Sequence, residues 1–300
     1  EDAAGNTVSD TIGTVELDKT YTVEIDTTEG EIANEFINEA EHTSVTISGK
    51  VHDDSNDNTV TVTISDDDDD TDDVVSEPVT VSGEDWSTAT LNPLGLDLSG
   101  LADDTLTITA TLVDEAGNST FAKVTTIELD TTYMVAIDAT AGAIADDFIN
   151  KVEHTDVTIS GTVHNDNNAN TVTVTIADKN DTEVVSDPMT VEDGTWSIAS
   201  LDLSGLADGP LTITADLLDE AGNTASNQIT NIELDTTREV AIDTGVGAIN
   251  DGFINDAEDG SVTISGTVND DNNSNTVTVT ITDKNDKEVV SDPVTVEDGN

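Results

Sequence analysis

TVTVTIA, residues 171–177, is the stretch that decides the fold. Val172, Val174 and Ile176 fall on one side of a period-two pattern and the threonines on the other, the mark of a strand with one buried face. LTITADL at 211–217 repeats the pattern with Leu211, Ile213, Ala215 and Leu217. Outward from these two runs, strands are predicted at Met134–Asp138, Val157–Val163, Glu183–Ser186, Met189–Val191 leading to Trp196–Leu201, and Gln228–Leu234. Asn, Asp and Gly fill the connections, as turn chemistry requires. About seven short strands in about 105 residues predict an Ig-like β-sandwich. Trp86 and Trp196, one per complete repeat, are expected to fill the cores. With no cysteine in the chain, there is no antibody-type disulfide. DDFINKVE at 146–153 reads as a loop or a single turn.

The pattern recurs. DAAGN at Asp2–Asn6 returns as DEAGN at Asp114–Asn118 and Asp219–Asn223; VTISG occurs at 45–49, 157–161 and 262–266. Both series step by 112 and then by 105 residues. The extra length of the first repeat lies in its Asp-rich loop and at TATLNPLG, between strands, where added residues are tolerated. The predicted architecture is all-β: tandem Ig-like β-sandwich repeats of about 105–112 residues, end to end. Residues 1–20 finish one repeat, 21–132 and 133–237 are complete, and 238–300 begin another. That last stretch stops before its Trp and lacks its last strands, so the sequence reads as a slice of a longer protein.

Charge narrows the partners. Sixty-five acidic and eight basic residues give a formal charge of −57. Nothing here neutralises phosphates, so nucleic acid is excluded as a natural partner. Such a charge repels itself and weakens the compact state unless cations screen or bind it. No run of 18 apolar residues is present, so no membrane insertion is expected in this segment, and no signal-peptide pattern opens it. The periodicity argues against the disorder that the composition alone would allow.

The joints between repeats carry carboxylates. Asp18, Asp130 and Asp235 end the last strands, and about five residues later the next first strand begins, ending at Asp26, Asp138 and Asp243. So short a linker brings the ends of two acidic modules face to face. DEAGN lies in the hairpin before the last strand, which carries Asp114 and Asn118, and Asp219 and Asn223. Strand direction puts it far from its own C-terminal joint and near the preceding one. The loop after the first strand repeats an acid, an Asn and a Glu: Glu35, Asn38 and Glu41; Asp146, Asp147, Asn150 and Glu153; Asp251, Asn255 and Glu258. This divides the candidates into a joint cluster and loop sites. Hard oxygen ligands without Cys or a fixed His point to Ca²⁺ rather than zinc or copper. The plain alternative is that the Asp and Gly-Asn of DEAGN only form a turn.

VTISGTV, LDLSGLADGPLTITA, DEAGN and LDTT, in that order, resemble the bacterial Ig-like repeats in the extender regions of giant secreted adhesins of the repeats-in-toxin type. The resemblance covers essentially the whole chain. It implies calcium-rigidified sandwiches that hold a distal ligand-binding domain away from a Gram-negative cell surface, and export by type I secretion. It also implies calcium at the linkers, a role carried to Asp130 and Asp235 with neighbouring loop acids. The Asp18 joint reads LDKT, with Lys19 beside the carboxylate. The glycine-rich calcium-binding nonapeptides of such proteins do not occur in this sequence.

Other features read more plainly. SDDDDDTDD at 65–73 corresponds to ADKNDTE in the second repeat and reads as a solvated hairpin loop. His42 and His154 give way to Asp259, and His52 and His164 to Asn269, so they read as surface histidines. No nucleophile elbow, P-loop or zinc motif is present, and no enzyme is expected. A module that itself binds a glycan or a protein is the competing reading. The acidity also suits a saline habitat.

Overall fold

The computed structural model describes residues 3–7, 9–13, 19–53, 58–66, 73–91, 95–164, 169–269 and 275–296. In the first repeat the strands are β1 (Tyr21–Ile25), β2 (Phe36–Asn38), β3 (Ser48–Asp53), β4 (Thr59–Ser65), β5 (Val74–Val75), β6 (Val79–Thr80), β7 (Asp85–Ser87), β8 (Thr105–Val113) and β9 (Ser119–Asp130). They form a three-stranded sheet, β1-β3-β7, and a larger one ordered β2-β9-β8-β4-β5, with β6 also on β4. The second repeat copies this plan. Its strands are β10 (Met134–Ile137), β11 (Phe148–Asn150), β12 (Val157–His164), β13 (Thr171–Ala177), β14 (Glu183–Val185), β15 (Met189–Thr190), β16 (Thr195–Leu201), β17 (Gly209–Leu218) and β18 (Thr224–Asp235). The sheets are β10-β12-β16 and β11-β18-β17-β13-β14, with β15 on β13. The Ig-like sandwich expected from the alternation is what forms.

Each sandwich closes on its own core. In β13, Val172, Val174 and Ile176 are fully buried; in β17, Leu211, Ile213, Ala215 and Leu217 face the same interior. Each such aliphatic side chain contributes about 1.5–3 kcal/mol when buried. Trp86 and Trp196 lie inside, each 3% exposed. The Gly of VTISG is there for them. A Cβ at Gly49 would overlap the Glu24 carbonyl and meet the Trp86 ring, and one at Gly161 would overlap the Ala136 carbonyl and the Trp196 ring. The indole N–H groups are also satisfied, Trp86 donating to the Glu24 carbonyl at 3.2 Å and Trp196 to that of Thr162 at 3.4 Å.

Three expectations need correction. The segment read as a loop at 146–153 contains a strand: β11 pairs in parallel with β18, Asn150 opposite Asp235, as β2 pairs with β9, Asn38 opposite Asp130. A single-turn 3-10 helix (Gly142–Ile144) precedes it. The last strand starts at Thr224, not Gln228, so the DEAGN hairpin is tight, with Leu218 opposite Thr224. The run through Met189 to Leu201 divides between sheets: β15 joins β13, while β16 joins β12.

The third repeat contains β19 (Glu239–Ile242), β20 (Gly266–Asn269), β21 (Thr276–Val277), β22 (Thr280–Thr282), β23 (Glu288–Val290) and β24 (Val294–Thr295). Val240 is 64% exposed where its counterpart Val135 is 3% exposed. Val135 is covered by the last two strands of its repeat, β17 and β18, which pack on β10.

Candidate functional site: the joint between repeats

The last strand sets the geometry. β18 has 12 residues, which at about 3.3 Å each carry the chain roughly 40 Å from the DEAGN hairpin to Asp235. Hairpin and C-terminal joint therefore lie at opposite ends of a repeat. The hairpin of the second repeat meets the end of the first.

At that meeting point the motifs treated as separate in sequence come together. Asp130, the last residue of β9, is 2% exposed. Beside it runs β2, whose Asn38 is its register partner. From the second repeat come Asp219, Ala221 and Asn223, all buried. Asn38 Nδ2 donates to the Ala221 carbonyl at 3.0 Å. Asn223 Nδ2 donates to the Asp130 carbonyl at 3.0 Å, and its Oδ1 accepts from the Glu39 amide at 2.9 Å. The division into joint cluster and loop sites is thus corrected. At this joint they are one site, because the parallel β2–β9 pair and the hairpin both reach it.

Within the hairpin, Asp219 closes its own turn. Its Oδ1 accepts from the Asn223 amide at 2.7 Å and its Oδ2 from Asn223 Nδ2 at 2.9 Å. Asp114 and Asn118 make the same pair of bonds at 2.6 Å each. Turn-making and joint-making are therefore roles of the same residues.

The Phe-Ile-Asn turns tie themselves with the same side chains that the sequence offers as ligands. Asp146 Oδ1 accepts from the Phe148 amide at 3.2 Å, Asn150 Oδ1 from Val152 at 2.8 Å, and Glu153 Oε2 from Asn150 at 3.0 Å. Asp251, Asn255 and Glu258 repeat the set, and Asn38 and Glu41 follow it with Asn34 in the first position. Asp147 adopts φ +68° and accepts from Asn231 Nδ2. His42 is partly enclosed rather than on the surface: its Nδ1 lies 2.8 Å from the Glu39 carbonyl.

Asp26, Asp138 and Asp243 do not come to the joint through their own strands, which lead away from it. Asp138 Oδ1 accepts from Thr140 N at 2.9 Å and Oγ1 at 2.6 Å, and Asp26 does the same with Thr28. The threonine hydroxyls, then the amides, hold both carboxyls below the ordinary Asp range. Asp243 accepts from the Gly245 amide at 2.8 Å. Asp235 ends β18 as Asp130 ends β9, and is half-buried. Asp18 and most of the 65–73 run lie outside the described residues.

Two carboxylates missed in the sequence sit beside the linkers. Asp103 Oδ1 accepts from Thr131 N at 3.1 Å and Oγ1 at 2.7 Å; Asp208 Oδ1 accepts from Thr236 at 3.1 and 2.8 Å. The signal was the Asp shared by LADD and LADG ahead of LDTT. At Asp208 burial pushes the carboxyl up, but bonds from Thr237 and Thr236 outweigh it and leave the value lowered.

Around Asp130 and Asp219 the donors are carboxylate, carbonyl and amide oxygens. Among the described residues no three His, Cys, Asp or Glu side chains converge as a metal-binding group. Calcium does not need three, since carbonyls, amides and water complete its shell. The donor chemistry fits a hard cation and offers nothing to a soft one.

Residues 134–236 match the family model described as a bacterial Ig-like domain, nearly the whole second repeat. No curated protein matches the chain. Among solved structures it is similar to a tetra-tandem repeat in the extending region of a large adhesion protein. The identity is 25%, over 93% of this chain and 63% of that one, with a TM-score of 0.35. It is also similar to a Ca²⁺-stabilized adhesin that helps an Antarctic bacterium reach out and bind ice, at 22% identity over 97% and 78%, TM-score 0.37. A bacterial immunoglobulin-like domain from the M. primoryensis ice-binding adhesin is 26% identical over 35% of this chain and 96% of its own, TM-score 0.24. The chain thus spans less than two thirds of the tetra-tandem structure.

Proposed function

We propose that the chain is a length of stalk: part of the extender region of a large bacterial cell-surface adhesin, stiffened by calcium at the joints and projecting a distal binding domain. The observation that carries this is the buried joint. Asp130 and Asp219 come from opposite repeats and are 2% and 5% exposed, and Asn223 Nδ2 bonds the backbone carbonyl of the first and the carboxylate of the second. Burying a carboxylate is costly unless a hydrogen-bond partner or a cation compensates it. The chain as a whole, at −57, adds a repulsion that bends and separates modules.

Asp130 and Asp219 would hold the ion from the two sides, with carbonyl and amide oxygens of the Phe-Ile-Asn turn completing the shell. Calcium supplies two positive charges and accepts six to eight oxygens. The protein supplies the placement. Asp103 and Asp208 fix the linkers, and the parallel β2–β9 pair fixes Asp130.

Extracellular modules bind calcium at roughly 0.1–1 mM. The array is then stiff outside the cell and loose in calcium-poor cytoplasm, which suits export by type I secretion. No helix among the described residues is long and apolar enough to cross a membrane. Trp86 and Trp196 are buried, so neither offers a ring for a glycan to stack on.

The test is small-angle scattering and thermal melting of the chain in calcium, in EDTA, and in matched Mg²⁺ or Na⁺. Chelation is expected to shorten the particle and lower its melting temperature, and Na⁺ at equal ionic strength is expected not to restore either. Identical profiles in calcium and EDTA would remove the calcium reading.

A further inference from the structure

Three hydrogen bonds cross the first joint without using a charged group: Asn38 Nδ2 to the Ala221 carbonyl, Asn223 Nδ2 to the Asp130 carbonyl, and the Glu39 amide to Asn223 Oδ1. The amide orientation of Asn223 is fixed by its surroundings. Its nitrogen faces two acceptors, Asp130 O and Asp219 Oδ2, while its oxygen faces the Glu39 N–H. The reverse orientation would oppose like to like at all three. Ala221, 2% exposed, lets the hairpin come close enough for the bonds to form.

We propose that Asn38 and Asn223 are a metal-independent latch between repeats. The Phe-Ile-Asn turn at the C-terminal end of one repeat is the receptor for the Asp-Glu-Ala-Gly-Asn hairpin of the repeat that follows. The latch fixes how one sandwich is rotated on the next. Neutral amide-to-carbonyl bonds are little screened by salt and need no ion, so without calcium the latch still sets the rotation of one repeat on the next while the joint remains free to bend. The receptor parts recur in the second repeat as Phe148–Asn150 beside Asp235, where Asn150 is exposed and Asp235 half-buried. That turn offers the same groups to a hairpin of the same type. The inference rests on end-to-end stacking and goes beyond calcium stiffening.

The Glu39 amide is the reporter, because its bond crosses the joint while its own turn is built from other groups. Hydrogen exchange of the 300-residue chain is measured in EDTA. In the wild type this amide is expected to be protected. Asn38→Asp keeps the Oδ1 that accepts from Ala40 and replaces the Nδ2 that reaches Ala221 with a carboxylate oxygen, so the bond is lost and two acceptors oppose each other. It is expected to speed Glu39 exchange roughly tenfold. Asn223→Ala should do the same or more. Asn118→Asp disturbs an equivalent hairpin that does not meet Asn38, and should leave Glu39 as in the wild type. The latch is overturned if Glu39 is unprotected in the wild type in EDTA, or if Asn38→Asp exchanges no faster than Asn118→Asp. Failure of the calcium reading looks different: wild-type scattering would not respond to EDTA, while the Asn38→Asp effect persisted.

Discussion

The hairpins at Asp114–Asn118 and Asp219–Asn223 have the same five residues and the same internal bonds, yet different surroundings. Ala116 is exposed and Ala221 is 2% exposed; Asn118 is half-buried and Asn223 is 5% exposed. The turn is made locally, by an Asp that accepts from the Asn amide and side chain four residues later. The burial is made by the neighbour, since the second hairpin sits on the Phe-Ile-Asn turn and the end of β9. One motif is therefore complete as a turn in isolation and acquires its second role only when another repeat is placed against it.

The comparison can be broken most sharply at the alanines. Ala221→Leu should cost about 2 kcal/mol by overfilling the joint, whereas Ala116→Leu should stay within about 0.5 kcal/mol. Denaturant unfolding followed by Trp86 and Trp196 fluorescence measures both, and equal costs would erase the distinction. The asparagines come next. Asn118→Ala and Asn223→Ala each remove the bond to the hairpin Asp, but only the second removes bonds across the joint. An excess of about 1–2 kcal/mol is expected at 223 in the same assay.

The linker bonds should show in a pH titration. Asp208 has a lowered carboxyl, so its contribution is fully present above the ordinary Asp value of about 3.9 and is lost as pH falls through the lower folded value. Melting temperature should therefore fall in acid below about pH 4. Thr236→Val with Thr237→Val should flatten that fall. The smallest effect is expected at Asp138, where Thr140→Val should remove a slight acid dependence while leaving the joint intact, read as unchanged Glu39 exchange.

What was legible in the sequence was whatever repeats along one strand or one turn. TVTVTIA and LTITADL announce their faces because a strand alternates, and DEAGN announces a hairpin because Asp, Gly and Asn make turns. Direction along β18 was enough to send the second hairpin toward the preceding joint. The short strand Phe148–Asn150 was not legible, because three residues carry no period and its pairing is with β18, more than 80 residues away. That pairing is also what brings the Phe-Ile-Asn turn beside the strand-ending Asp. Asp103 and Asp208 are harder to read because their role depends on threonines 28 residues later, and only the Asp shared by LADD and LADG marks them. The loop acids were visible as oxygens. Their use in tying the loop itself depends on backbone amides, which a sequence does not show.

The parallel pairing of β2 with β9, and of β11 with β18, bears on how such an array meets tension. A pull on the two ends of a repeat draws these paired strands past one another lengthwise. Their bonds are then strained together instead of being peeled one after another, so a three-residue strand can brace the point where force leaves the repeat for the next one.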